Sequence, residues 1–317
     1  MNQKEREKAN KYQILIFLNG LHPPWRLFSI RGMLKMFEDY DAFYSNIIVK
    51  PFTMDDHKKQ VKHGLTYQAV AETMQYIEDL FSFMMTSKNI DTLIKDVLFY
   101  SPSAVGKYIG KFERLSDEQK LDALKMPYFC SGEAWENVEL WPEYNKFREI
   151  ALSKLERVIA FHKRYYRFYL QYKHGLKAPL NPGYDNEQHE VFAEEVDLWR
   201  YEQFDYWKDN GHAELYTPPL HPNIEPFVDE LQNEGNLLCC AADSVGHKEI
   251  GDIAFATYQL LTCLHYNFVG MLLSDDDLAQ ELSYETTPGV VAVWFPSDDT
   301  EHPFTQIDFP YPDDGEQ

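Results

Sequence analysis

One uninterrupted amphipathic helical pattern runs from Glu143 to His174, and it constrains the fold of this chain more than any other segment. Gly175 is placed to end the helix, and the prolines that follow at 179 and 182 prevent its resumption. The apolar stripe that recurs at spacings of three and four comprises Tyr144, Phe147, Ala151, Leu155, Val158, His162, Tyr165, Tyr169 and Tyr172. A stripe this long predicts a helix that packs against other helices.

Further helical patterns supply those neighbours. Residues 66–87 carry a second apolar stripe, with Thr66 as its N-cap, and residues 247–273 read as a buried helix that Asp243 or Ser244 caps. The run from Ser116 to Gln119 has the spacing of a capping box and predicts the start of a short helix.

Strand patterns are confined to the end of the chain. Val290 to Phe295 and Phe304 to Phe309 read as short strands that form a hairpin. The predicted fold class is therefore mainly α, a helical bundle with a small C-terminal β element. The predicted segments are a mixed N-terminal segment (1–60), a bundle core (61–177), an acidic segment with prolines and two short helical patterns (178–235), a further bundle helix (236–275) and an acidic C-terminal segment (276–317).

The overall charge is strongly negative. The 317 residues include 30 Lys and Arg and 51 Asp and Glu, which gives a formal charge of −21. Such a balance opposes indiscriminate binding to nucleic acid or to anionic membranes. The four cysteines lack the spacing of disulfide or zinc motifs, and no apolar run reaches membrane length. The sequence therefore predicts a cytoplasmic protein with no membrane partner, no metal and no cofactor.

A basic island interrupts this acidic chain within the long helix. From Lys154 to Lys177 there are seven basic residues and a single acid, Glu156, a local balance of +6. In contrast, residues 185–234 and residues 274–317 each have a balance of −12. The basic island is where an anionic ligand is expected to bind.

Arg167 and His174 are the best candidates for chemistry within the island. They are seven residues apart, close to two helical turns, and Lys163 precedes Arg167 by four on the same face. Arginine neutralises a phosphate through two parallel hydrogen bonds, and histidine transfers protons near neutral pH. The pair is a minimal metal-free apparatus for RNA cleavage, in which the 2′-hydroxyl is the nucleophile. The predicted phosphate-binding residues are Lys163, Arg164 and Lys173.

This arrangement of Arg, six residues and His late in a helix resembles the R-x(4–6)-H motif of the HEPN superfamily. Members of that superfamily are helical bundles, and many are metal-independent ribonucleases. The resemblance implies that Arg167 holds the phosphate, that His174 is the general acid/base and that RNA binds at the basic helix. Active members usually pair two motifs across a dimer, so the resemblance also implies a homodimer.

A non-catalytic alternative stays open from the same residues. Lys173 and His174 stand in the last turn of a helix, where cations interact favourably with the helix dipole. Arg164 and Arg167 can instead pair with the acidic residues of 185–234. On this interpretation the chain is an interaction or scaffold protein that binds an acidic protein partner or its own acidic arm. The acidic arm then acts as an autoinhibitory mask. A third interpretation rests on the balance of −12 over residues 274–317, which makes that segment an acidic mimic of nucleic acid.

Several other residues carry expectations that the structure can test. His162 and His265 are expected in the core, His57 and His63 on a solvated turn, and Phe168 facing outward together with Tyr166. The tetrapeptide Lys-His-Gly-Leu occurs twice, at 62–65 and at 173–176. It indicates either a duplication or two similar helix-end turns.

Overall fold

The computed structural model describes residues 3–45, 54–126, 141–173, 175, 178–180, 195–203, 214–216, 225–235, 238–273 and 290–310. The helices are α1 (Gln3–Gly20), α2 (Pro24–Glu38), α3 (Tyr40–Tyr44), α4 (Met54–Thr86), α5 (Leu93–Phe99), α6 (Pro102–Phe112), α7 (Asp117–Ala123), α8 (Trp141–Lys173), α9 (Val228–Asn233) and α10 (His247–Leu273). The strands are β1 (Glu195–Gln203), β2 (Glu214–Tyr216), β3 (Leu238–Gly246), β4 (Val290–Pro296) and β5 (Phe304–Pro310). The fold is mainly α with a small C-terminal β element, as the sequence predicts.

The long helix and its local signals agree with the sequence. α8 occupies Trp141–Lys173, and Gly175 follows it with a φ of 78° and an N–H bonded to the carbonyl of Tyr172. The capping box is present, because Ser116 and Gln119 exchange hydrogen bonds of 3.2 and 3.3 Å between their side chains and backbone amides. Within the described ranges, no helix has the length and apolar character that a membrane span requires.

The helix predicted over 66–87 begins twelve residues earlier, at Met54. Thr66 is therefore no N-cap but a buried interior residue, and its hydroxyl donates to the carbonyl of Lys62 at 3.3 Å. Gly64 does not interrupt the helix, because an interior glycine costs only about 1 kcal/mol and burial of Leu65 and Tyr67 offsets it.

The chain divides into two compact units. Unit 1 comprises Met1–Trp25, Tyr76–Ala160 and Phe255–Gln317, and unit 2 comprises Arg26–Gln75 and Phe161–Ala254. Helices α4, α8 and α10 each contribute residues to both units.

In unit 1, the predicted C-terminal hairpin forms from β4 and β5, which pair antiparallel. Its Phe295 and Phe309 pack edge-on against Tyr144 of α8, with ring centroids 5.9 and 6.0 Å away. Asn267 of α10 exchanges two hydrogen bonds with the backbone of Trp294, at 3.0 and 2.7 Å. Because Asn267 is buried, these bonds satisfy an amide that would otherwise destabilise the unit.

In unit 2, three strands form an antiparallel sheet in the order β1-β3-β2. The sequence interpretation missed this sheet: it placed short helical patterns before residue 236 and assigned Asp243 to a helix cap. Asp243 instead lies in β3 and pairs with the buried Arg200 of β1. The local signal for β1 is short: Val196 and Leu198 are buried and alternate with the less buried Glu195 and Asp197, but the alternation stops at the buried Trp199.

Candidate functional site

The C-terminal part of α8, residues 161–173 in unit 2, holds most of the predicted site. Its inner side is aromatic, and Tyr165, Phe168 and Tyr169 are fully buried. Phe168 was expected to face outward, but its ring packs edge-on against Tyr67 of α4 at 4.9 Å. The basic residues of this part of α8 therefore lie outside the aromatic face that packs against α4.

The structure separates the predicted phosphate-binding residues. Arg164 donates to the carbonyl of Ser244 at 3.0 Å and lies 3.8 Å from the carboxylate of Glu249, so it links α8 to β3 and α10. Lys163 is exposed and Arg167 is half-buried. Lys173 is exposed and places its ammonium 4.0 Å from the ring centroid of Tyr169. His174 lies outside the described residues.

Helical geometry explains which of these residues share a face. Lys163 and Arg167 are one turn apart, and Tyr169 and Lys173 are one turn apart. At about 100° per residue, Arg167 is rotated by about 200° from Tyr169. The end of α8 therefore presents two separate faces, one with Lys163 and Arg167 and one with Tyr169 and Lys173.

A cavity of about 560 Å³ lies at the second of these faces, entirely within unit 2. We call it the tyrosine cavity. Its walls come from α4, from the last turn of α8 and from the segment that follows it. The lining residues are Gly64, Tyr67, Gln68, Ala71, Glu72, Gln75, Tyr169, Tyr172, Lys173, Gly175, Ala178 and Leu180.

The two copies of Lys-His-Gly-Leu meet at the tyrosine cavity. Gly64 belongs to the first copy, Lys173 and Gly175 belong to the second, and all three line the walls. The two copies are not similar helix-end turns, because the first lies inside α4. This repeat is the sequence signal that could have located the cavity, whereas the wall residues Gln68 and Gln75 carry no recognisable motif.

The wall of the tyrosine cavity combines apolar and polar groups, and its formal charges balance. Lys173 supplies a positive charge, and Glu72 supplies a negative charge that Arg26 binds at 2.7 Å. Burial, and then the charge of Glu72, raises the pKa of Tyr172, so its phenol stays protonated at neutral pH. The cavity can hold a planar group against tyrosine rings and one anionic group near Lys173.

His63 corrects an expectation from the sequence. It was expected on a solvated turn, but it is buried inside α4 and donates through Nδ1 to the carbonyl of Leu180 at 3.3 Å. Burial lowers the pKa of His63, so the ring is neutral at pH 7. Its Nε2 is then an acceptor, without a hydrogen-bond partner in the part of the chain that the structure describes.

His162 lies in the core of unit 2, as expected. Its ring centroid is 5.0 Å from that of Tyr166, and burial, assisted by the charge of Lys173, lowers the pKa of His162 to about 4. It is therefore neutral at pH 7 and cannot supply a proton there. Among the described residues, no group of three His, Cys, Asp or Glu side chains is arranged to hold a metal ion.

Tyr67 connects the cavity wall to the sheet. Its hydroxyl donates to the carbonyl of Pro179 at 3.0 Å, lies 3.3 Å from the carbonyl of Asp197, and accepts the N–H of Trp199 at 2.7 Å. Asp197 and Trp199 are two apart on β1, the edge strand of the described sheet, so their polar groups point the same way. Tyr67 thus occupies a place that a neighbouring strand would otherwise take.

Tyr67→Phe is expected to lower the free energy of unfolding by about 1 to 3 kcal/mol, because it removes the hydroxyl that accepts the buried N–H of Trp199. Urea denaturation followed by tryptophan fluorescence measures the change. Tyr172→Phe is the matched control, since Tyr172 lines the same cavity and contacts Tyr67 through its ring. An equal loss in both variants would contradict the role assigned to the Tyr67 hydroxyl.

Comparison with protein-family models, with curated protein sequences and with solved structures gave no match to this chain.

Proposed function

We propose that this chain is a HEPN-like, metal-independent endoribonuclease, in which Arg167 holds the scissile phosphate and His174 moves the proton. Lys163 and Lys173 are its phosphate contacts, RNA is its partner, and the cytoplasm is its location. The observation that carries the proposal is the tyrosine cavity at the end of the basic helix. Lys173 and Gly175, the chain neighbours of position 174, both line it.

The size and chemistry of the cavity suit one nucleotide unit. Its volume of about 560 Å³ falls within the range of roughly 300 to 1,000 Å³ typical of small-molecule sites. Tyrosine faces stack on bases of any sequence, and a lysine contacts phosphate as a point charge. A base against Tyr172 and a phosphate at Lys173 use both properties.

Arg167 lies on a different face of α8 from Tyr169 and Lys173, so the bound RNA has to cross the end of the helix. One base occupies the tyrosine cavity, and the adjacent phosphate reaches the face that carries Lys163 and Arg167. Arg164 takes no part in this arrangement, because it already binds Ser244 and Glu249.

The reaction needs a 2′-hydroxyl but no metal. His174 accepts the proton of the 2′-hydroxyl, the 2′-oxygen forms a bond to phosphorus, and the bond from phosphorus to the 5′-oxygen breaks. The leaving 5′-oxygen takes a proton from water, and the resulting hydroxide takes the proton that His174 had accepted. The products carry a 2′,3′-cyclic phosphate and a 5′-hydroxyl. Arg167 stabilises the charge that develops on the phosphate oxygens.

The experiment compares a labelled RNA pool with DNA of the same sequences, both incubated with the full chain in EDTA. We expect cleavage of the RNA and no cleavage of the DNA, which lacks the 2′-hydroxyl. Cleavage of both would contradict the proposed nucleophile, and cleavage of neither would overturn the nuclease function.

A second candidate function is a non-catalytic interaction or scaffold protein. The contacts of Arg164 favour it, because a basic residue predicted to bind phosphate instead holds β3 and α10 in place. Failure of the cleavage experiment, together with retained binding to an acidic protein partner, would leave this candidate in front.

A further inference from the structure

A second pocket lies entirely within unit 1, and none of its lining residues belongs to the proposed nuclease site. Its volume is about 230 Å³, and α1, the connection to α2, the end of α4, α5 and α10 contribute to its walls. We call it the aromatic pocket, because five aromatic rings line it: Phe17, Trp25, Tyr76, Phe83 and Tyr100. Trp25 and Tyr100 are exposed, so the pocket is accessible from solvent.

Three hydroxyl groups on the wall, those of Tyr76, Ser82 and Thr86, donate their protons within the protein. Tyr76 donates to the carbonyl of Pro23, and Ser82 donates to the carbonyl of Asp79 at 2.9 Å. Thr86 donates to the carbonyl of Ser82 at 2.9 Å. Each of these three oxygens keeps its lone pairs, so these hydroxyls are acceptors toward a ligand.

His265 is also an acceptor, because it donates its proton within the protein. Its Nε2 lies 3.2 Å from the carbonyl of Leu18, so Nε2 carries the proton and Nδ1 keeps a lone pair. Burial lowers the pKa of His265, so the ring is neutral at pH 7. This histidine therefore adds an acceptor to the wall and no positive charge.

The formal charge of the wall is negative. With histidines counted as neutral, Asp79 is the charged residue among the described residues that line the pocket; His22 and His265 also line it, and none is Lys or Arg. Aromatic faces are also electronegative, because the ring quadrupole places negative potential above each face. Acceptors, aromatic faces and a carboxylate together disfavour an anion and favour a cation with an apolar surface.

We propose that the aromatic pocket of unit 1 binds a small organic cation of the quaternary-ammonium class. The methyl groups of such a cation suit the apolar wall, and a hydroxyl on its chain can donate to an acceptor of the wall. A ring face that meets the cation attracts its charge, and the carboxylate of Asp79 adds a negative charge to the wall. A volume of about 230 Å³ holds a trimethylammonium group with a short polar chain.

The test is calorimetric titration of the full chain with choline chloride and, separately, with 3,3-dimethylbutan-1-ol, the uncharged carbon isostere of choline. We expect choline to bind at least about tenfold more tightly than the isostere, since the cation–π attraction and the carboxylate act only on the charge. Equal affinities would overturn the proposal in favour of an apolar ligand, and absence of choline binding would overturn it outright.

Two variants locate the site. Trp25→Ala and Asp79→Asn are each expected to weaken choline binding by about tenfold. Phe99→Ala and Asp91→Asn are the matched controls, because both residues are exposed in unit 1 and neither lines the pocket. Unchanged choline affinity in both pocket variants, or an equal loss in the controls, would contradict the proposed site.

Discussion

Replacing His174 by alanine is expected to lower the rate of RNA cleavage in EDTA by about 10²- to 10⁴-fold, the usual contribution of a general acid or base. The proton of the 2′-hydroxyl has to leave as the bond to phosphorus forms, and alanine cannot accept it. RNA binding is expected to persist, because the phosphate contacts assigned to Lys163, Arg167 and Lys173 are retained. Single-turnover cleavage and filter binding measure the two effects separately.

The control for this variant is His302→Ala. His302 is an exposed histidine beside the C-terminal hairpin of unit 1, so its replacement removes an imidazole without touching α8. Circular dichroism checks that both variants keep their helices. Equal cleavage by wild type and His174→Ala, with the helices intact, would remove His174 from catalysis.

Asp243→Ala is expected to lower the free energy of unfolding by about 3 to 5 kcal/mol, the usual cost of breaking a buried ion pair from one side. Arg200 is 5% exposed, and Asp243 binds its guanidinium across the pair of β1 and β3. Loss of the carboxylate leaves a buried positive charge without that partner. Urea denaturation at neutral pH, followed by tryptophan fluorescence, measures the loss.

Asp41→Ala is the matched control in the same unit. Asp41 pairs with Lys58 at 2.8 Å, but its side chain is 67% exposed, so solvent screens the pair. Its loss is expected to cost about 0 to 1 kcal/mol. The double variant Arg200→Met with Asp243→Leu is expected to recover most of the stability, because it removes both charges. A loss below that of Asp41→Ala would show that the buried pair contributes nothing to unit 2.

The elements that the sequence predicted well are those with local signals. The apolar period of α8, the buried stripe of α10, the capping box at Ser116 and the terminal hairpin each depend on residues close together in the chain. Periodicity and capping act over a few residues, so a sequence alone is enough to recognise them.

The three-stranded sheet of unit 2 was hidden because its stabilising contacts are distant in sequence. Arg200 and Asp243 are 43 residues apart; the sequence predicts Arg200 as a base within an acidic segment and Asp243 as a helix cap. The alternation of Val196 and Leu198 is short and lies between acids. Only pairing with β3 makes it a strand, and such pairing leaves little trace in one sequence.

The candidate site was predictable in composition but not in arrangement. The basic island and its end at Gly175 are visible in the sequence, and so is the repeated Lys-His-Gly-Leu. The burial of Phe168 and of His63 is not visible there. Phe168 is buried against Tyr67 of α4, and His63 is bonded to the backbone at Leu180, and both contacts join residues distant in sequence. A helical wheel gives the faces of α8, but it cannot say which face meets α4.

The most direct test of the nuclease proposal is mass spectrometry of the RNA fragments that the wild-type chain produces in EDTA. The His174→Ala protein, purified in parallel, controls for contaminating nucleases. We expect fragments with 2′,3′-cyclic phosphate and 5′-hydroxyl ends from the wild type and none from the variant. Intact RNA with the wild type, or the same fragments from His174→Ala, would contradict it.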